Sequence, residues 1–198
     1  MVFDGIILAV IVGYLRKGSL KSLATLKLKF GWVFPLLLLV QIAVFSLQNE
    51  IPALGQASGL VFMLVYIAGL FFLAMNRHYK GVVLIFIGVF LNFLVMAVNG
   101  GRMPVSMEAA VILDPAYIEA IKTELYAKHA VLTSSTNLGF LGDIIPLTDP
   151  YPKNQVISIG DVLMNIGIFI FIQHLMLGHL NNKPKDDVSF QLKGGETS

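Results

Sequence analysis

The chain contains no cysteine, so neither a disulfide framework nor a thiolate-ligated metal is open to it. Its four histidines are scattered and form no HExxH-type pair, so neither a metal nor any other cofactor is expected. Charge is equally scarce. Only 13% of the 198 residues are Asp, Glu, Lys or Arg, about half the roughly 25% found in soluble domains. The net charge of +2 is not gathered on one face, which argues against a nucleic-acid partner. What fills the chain instead is apolar: 56% of residues are hydrophobic and the mean hydropathy is +0.78. That balance belongs to a multi-pass protein of the cell membrane, whose first partner is the lipid bilayer.

Five apolar segments lie near residues 2–15 (broken only by Asp4), 32–47, 58–75, 81–98 and 159–177. At 1.5 Å per residue about 20 residues cross the hydrocarbon core, so the first two segments are short and need flanking residues or a thinned bilayer. No stretch alternates with the period of two that a barrel strand requires. The expected fold is an all-α membrane bundle of about five transmembrane helices, one domain over residues 1–180.

Lysine and arginine set the expected orientation. Arg16, Lys17, Lys21, Lys27 and Lys29 follow the first segment, Arg77 and Lys80 follow the third, and Lys183, Lys185 and Lys193 lie in the tail. By the positive-inside rule these connections are cytoplasmic, which puts the N-terminus outside, the C-terminus inside, and the loop 99–156 outside. The first segment does not read as a cleavable signal, because its basic residues follow the apolar run. The polar tail 181–198 is expected to be disordered.

The outer loop carries its own signals. Asp114 and Pro115 begin an amphipathic helix near 115–130, with Ile118, Ile121 and Leu125 on one face. Thr133 to Asn137 is a turn-rich break. The apolar stretch Leu138-Gly-Phe-Leu-Gly-Asp-Ile-Ile-Pro-Leu147 is too short to span; tucked against the bundle, it carries Asp143 toward the membrane surface. There Asp161 opens the last segment, a carboxylate whose insertion costs a few kcal/mol. Asn92 and Asn99, seven apart, share one helix face, and Asn165 lies one turn after Asp161. Arg102, in Asn99-Gly-Gly-Arg-Met-Pro104, and Asp4 reach the same end. The candidate site is therefore Asp143 and Asp161, with Asn92, Asn99, Arg102, Asn165 and Asp4 as binding or orienting groups. A plainer reading is also open, with the asparagines bonded between helices and Arg102 paired with an acid or a lipid headgroup. His174 and His179, near the inner end of the last segment, read as interface residues.

Through residues 91–104, Leu141-Gly-Asp143 and Ser158-Ile-Gly-Asp161, the chain resembles a family of uncharacterised five-segment bacterial integral membrane proteins, which implies a location and no activity. Residues 139–177 are also similar to the end of lipoprotein signal peptidases, in which one aspartate follows an apolar pair and a second opens the last membrane helix. That resemblance implies Asp143 and Asp161 as an aspartyl protease dyad acting on a membrane peptide. The chain departs from that family at Ile159 and Gly160, where an asparagine and a small residue precede the second aspartate. It also lacks the asparagine-rich motif with arginine before the first. Three readings stand: a binding or accessory protein with an outward-facing polar site for a ligand or lipid, an aspartyl peptidase, and a small transporter. Oligomeric state is not legible.

Overall fold

The computed structural model describes residues 2–24, 26–47, 51–122, 128–149, 151 and 153–181. The protein is mostly helical. In chain order come α1 (Val2–Leu15), α2 (Lys21–Ala24), α3 (Val33–Leu47), α4 (Pro52–Met75) and α5 (Val82–Ala97). After an elaborate connection, α8 (Ile159–Asn181) closes the described chain. Two helical stretches, Ala57–Met75 and Ile159–Gly178, are long and apolar enough to cross a membrane; Gly5–Leu15, Val33–Leu47 and Val82–Ala97 are also apolar but shorter. Pro52 stands in the first turn of α4, where its missing N–H costs nothing.

Glycines determine how the helices approach. Gly81, the N-cap of α5, and Gly88 within it face Gly167 and Gly160 of α8, each pair seven residues apart on antiparallel helices. A Cβ at Gly160 would stand 2.6 Å from the Gly88 carbonyl oxygen, and one at Gly167 would stand 2.9 Å from that of Gly81. Without side chains at the crossing the two backbones pack directly, as small residues allow in membrane bundles. On the other side of α8, α1 runs parallel to it, with Gly5 against Asn165 and Gly13 against Met176.

The bundle has two distinct ends. At one, Asn76 closes α4: its side chain donates to Lys29 O at 3.0 Å and Phe72 O at 2.9 Å and accepts Lys29 N–H at 2.9 Å. Nearby, Tyr79 Oη donates to Lys27 O and Arg16 donates to Gln173. The basic residues of 16–29 and 77–80 collect at this end. At the other end lies a small cap, the connection from Asn99 to Ser158.

The cap contains β1 (Met103–Val105), α6 (Met107–Ala110), α7 (Pro115–Lys122), β2 (His129–Val131), β3 (Ile145–Leu147) and β4 (Gln155–Ile157). β1 and β2 pair in parallel, and β3 and β4 antiparallel. Asp143 joins the two pairs by bridging to Val105. The cap buries Val105, Ala110 and Ile121 as its own core, while its Met103 and Leu141 join Val44, Phe62, Val95 and Met96 of the bundle. The all-helical expectation thus holds for the bundle and not for the cap. Strands of three residues give too short a run for period-two alternation to be seen. The amphipathic helix expected over 115–130 is described only as Pro115–Lys122. Residues 129–131 are strand, and Leu125 lies outside the described residues. The tail beyond 181 also lies outside them.

The outward surface is strongly apolar, and several polar side chains are buried beside the apolar core. Leu39, Leu60 and Phe71 are 64, 66 and 62% exposed, while Ser58, Asn76, Asn92 and Gln173 are buried.

A buried polar cluster between cap and bundle

The end of β4 leads directly into α8, and the junction is built by two side chains. Ser158 is the N-cap: its Oγ accepts the Asp161 N–H at 3.0 Å, while Asp161 Oδ2 accepts the Ser158 N–H at 3.1 Å. This reciprocal pair is a capping box with aspartate in the third helical position, and the carboxylate also faces the positive end of the helix dipole. Asn92, buried in α5, completes it. Its Nδ2 donates to Asp161 Oδ1 at 3.0 Å and its Oδ1 accepts Ser158 Oγ–H at 2.8 Å. Gly160 makes room for this contact, because a Cβ there would collide with the Asn92 amide.

Asp143 sits one layer above, held by backbone. Its N–H donates to Pro104 O at 2.8 Å and its carbonyl accepts Ser106 N–H at 3.0 Å. Next to it Ile144 N–H donates to Ile157 O at 3.1 Å, which places Asp143 beside the strand that leads to Ser158 and Asp161. Asp143 is 7% exposed, and its Oδ1 is buried without a hydrogen-bond partner among the described residues. Oδ2 lies 3.6 Å from His129 Nε2, too long for a hydrogen bond.

Burial and charge set the protonation of this layer. Burial first, then the Asp161 charge, pushes the Asp143 carboxyl up to about 8, against the pull of Lys128. Burial, helped by Lys128, lowers His129 to about 3. The geometric ion pair between the two is therefore a contact of two neutral groups at pH 7, since neither is in its charged form there. The Lys128 ammonium is held above its ordinary range by the Tyr66 phenol and then by Asp143 and Asp161, which together outweigh its burial.

The structure thus gathers Asp143, Asp161 and Asn92 from among the residues singled out in the sequence. Asn165 is adjacent, its amide donating to Asp161 O at 2.9 Å. Asn99 is engaged elsewhere. Its amide donates to Val95 O and Asn137 O, both at 2.7 Å, and its Oδ1 accepts Asn137 N–H at 3.0 Å. It clips the Thr133–Asn137 turn onto the end of α5, away from the acids. Arg102 lies in the turn after α5 and has no part in the hydrogen bonds of the acid cluster. Asp4 is in α1, but its side chain is outside the described set. The carboxyls of Asp143 and Asp161 are not joined by a hydrogen bond, yet the Asp161 charge adds to burial in holding the proton on Asp143.

Four members of the cluster were not singled out: Tyr66, Lys128, His129 and Ser158. Ser158 had a legible signal, since serine followed three residues later by an acid before an apolar run is the capping-box pattern. The others come together only through tertiary packing. Among the described residues no group of three or more His, Asp or Glu side chains is arranged to hold a metal ion.

Above Asp143 the cap opens a cleft of about 310 Å³, lined by Leu113, Asp114, Lys153, Asn154 and Val156 as well as Asp143 itself. Asn154 closes one wall by donating to Ile112 O at 2.9 Å.

A family of unknown function (DUF5317) matches this chain over residues 25–173. An uncharacterised protein of Thermotoga maritima is 30% identical over 171 residues, covering 86% of this chain and 89% of the relative. No solved structure matches the chain.

Proposed function

The chain belongs to this family of unknown function, and we propose that it is a multi-pass membrane protein whose capped end faces outward and binds a small polar ligand at Asp143. In this reading α1, α3, α4, α5 and α8 cross the bilayer, with the shorter three tilted little or set in thinned lipid. Support comes from the apolar outward surface of the helices and from the hydrogen-bonded polar side chains buried between them, both of which a lipid solvent favours. The segregation of basic residues to the end opposite the cap supports a cytoplasmic location for that end.

One observation carries the binding role: Asp143 lines a cleft and carries a buried carboxyl oxygen without a hydrogen-bond partner. Leaving a buried acceptor unsatisfied costs about 1–3 kcal/mol, which a ligand donor would recover. A second reading, an aspartyl peptidase with Asp143 and Asp161 as its dyad, draws on the proton that burial first, and then the Asp161 charge, keep on Asp143. It is weakened because both Asp161 oxygens already accept bonds from Asn92 and Ser158.

The cysteine-free sequence makes the orientation directly testable. Phe140→Cys in the cap should react with a membrane-impermeant maleimide on intact cells, and His78→Cys should react only after permeabilisation. The reverse pattern would overturn the proposal.

A further inference from the structure

We propose that the cleft over Asp143 takes a small zwitterion, a primary ammonium a few bonds from a phosphate or carboxylate, with the ammonium on Asp143 and the acidic group on Lys153. This names the ligand class of the site proposed above and rests on that reading.

The cleft wall is chemically divided. Asp143 lines it, and its buried, unpartnered Oδ1 is an acceptor whether or not the carboxyl keeps its proton; Asp114 adds a second carboxyl whose Oδ1 already accepts the Ala116 N–H at 2.8 Å. Lys153, on the same wall, is exposed. A lone cation would meet Lys153 here and Lys128 near Asp143; a lone anion would meet the Asp114 carboxylate. Only a ligand bearing both signs satisfies both ends, and burying either of its charges unpaired would be costly. The volume, about 310 Å³, is at the small end of ligand sites. The side walls, Val105, Leu113 and Val156, suit the short carbon linker between the charges. Two sources share this chemistry, a free solute and the headgroup of an aminophospholipid.

The test uses the full chain in phosphatidylglycerol nanodiscs, with O-phosphoethanolamine and β-alanine as probes and thermal unfolding as the readout. The expected result is a saturable rise in unfolding temperature with at least one probe. That rise should be lost in Asp143→Asn and in Lys153→Glu, and ethanolamine or inorganic phosphate alone should not reproduce it. Lys153→Glu is on an exposed loop, so it reports even where Asp143→Asn fails to fold. A rise already present in phosphatidylethanolamine nanodiscs, with no further effect of free probe, assigns the lipid headgroup; a rise only with free probe assigns the solute. No rise with either probe or with phosphatidylethanolamine overturns the inference. So does a rise that persists in Lys153→Glu. Maleimide labelling of Asn154→Cys on intact cells separates the two failures. A labelled cleft without a thermal shift sinks the ligand class alone, whereas an unlabelled cleft sinks the outward-facing site as well.

Discussion

Ser158 and Asp161 cap each other, each side chain accepting the other's backbone N–H, at 3.0 and 3.1 Å. The acid that opens the last apolar helix therefore has a structural duty whatever else it does. Ser158→Ala should cost about 1 kcal/mol for the lost cap, with a further penalty of about 1–3 kcal/mol for the Asn92 carbonyl left buried without its donor. Asp161→Ala should cost more, because it strips the acceptor from both Asn92 Nδ2 and Ser158 N–H. Denaturation of the purified protein in detergent checks the order. Equal stabilities for Asp161→Ala and the parent would show that the cap contributes nothing.

The glycine seam gives a second contrast. A Cβ at Gly88 would press on the Gly160 carbonyl and come within 2.8 Å of Met164 N, both backbone atoms that cannot rotate aside. Gly88→Ala should therefore part α5 from α8, pull Asn92 off Asp161, and destabilise by several kcal/mol, on the scale of about 1–3 kcal/mol for overpacking plus the lost bonds. Gly178 lies in α8 with nothing within 4 Å of an added Cβ. Gly178→Ala should be neutral or stabilising by about 0.5–1 kcal/mol through helix propensity. Comparable losses at the two positions would show that close packing is not what requires Gly88.

These two junctions also show what the sequence revealed. The apolar helices were legible because each is an apolar run with punctuated ends, and Asp161 stood out because an acid there is costly. Its partner Asn92 was noticed for a shared face with Asn99, yet the structure sends them to different tasks. Two residues on one helix face seven apart are two turns apart along the axis, enough for one to meet α8 and the other the cap turn. The cap strands were not legible. Three-residue strands formed by Met103–Val105 and His129–Val131 owe their existence to each other, across a connection of more than twenty residues. Lys128 and His129 reach the acids only through that pairing, so no local pattern marks them.

Asn99 offers a third prediction. Its amide spends one N–H on Val95 O of α5, and its other N–H and its carbonyl oxygen join that helix end to Asn137. Asn99→Ala should free the Thr133–Asn137 turn while leaving the acid cluster intact. Hydrogen exchange at the Asn137 amide should accelerate, because its acceptor is gone, and exchange at Ser158 and Asp161 should not change. Faster exchange at all three would mean that cap and helix junction open as one unit.

The paired titrations of Asp143 and His129 make the last prediction. Asp143 holds its proton more tightly folded, at about 8, than at its ordinary 3.8. Its contribution to stability is whole below pH 3.8 and is lost as pH rises to about 8. His129 behaves oppositely. Its value falls from 6.5 to about 3 on folding, so its contribution is whole above pH 6.5 and is lost as pH falls to about 3. Between pH 3.8 and 6.5 the two slopes oppose and cancel, which leaves a plateau. From 6.5 to about 8 only Asp143 titrates of the two, and stability should fall by about 2 kcal/mol, at 1.36 kcal/mol per unit. Lys128, the cation facing both, stays charged throughout because its value lies above 10.5. Asp143→Asn should abolish the fall above pH 6.5 and uncover the slope of His129, so that stability drops on acidification instead. Unfolding temperatures of the two proteins from pH 5 to 8.5 decide it. A parent curve flat above pH 6.5, or a variant with the parent's curve, would mean that Asp143 does not hold its proton in the folded state.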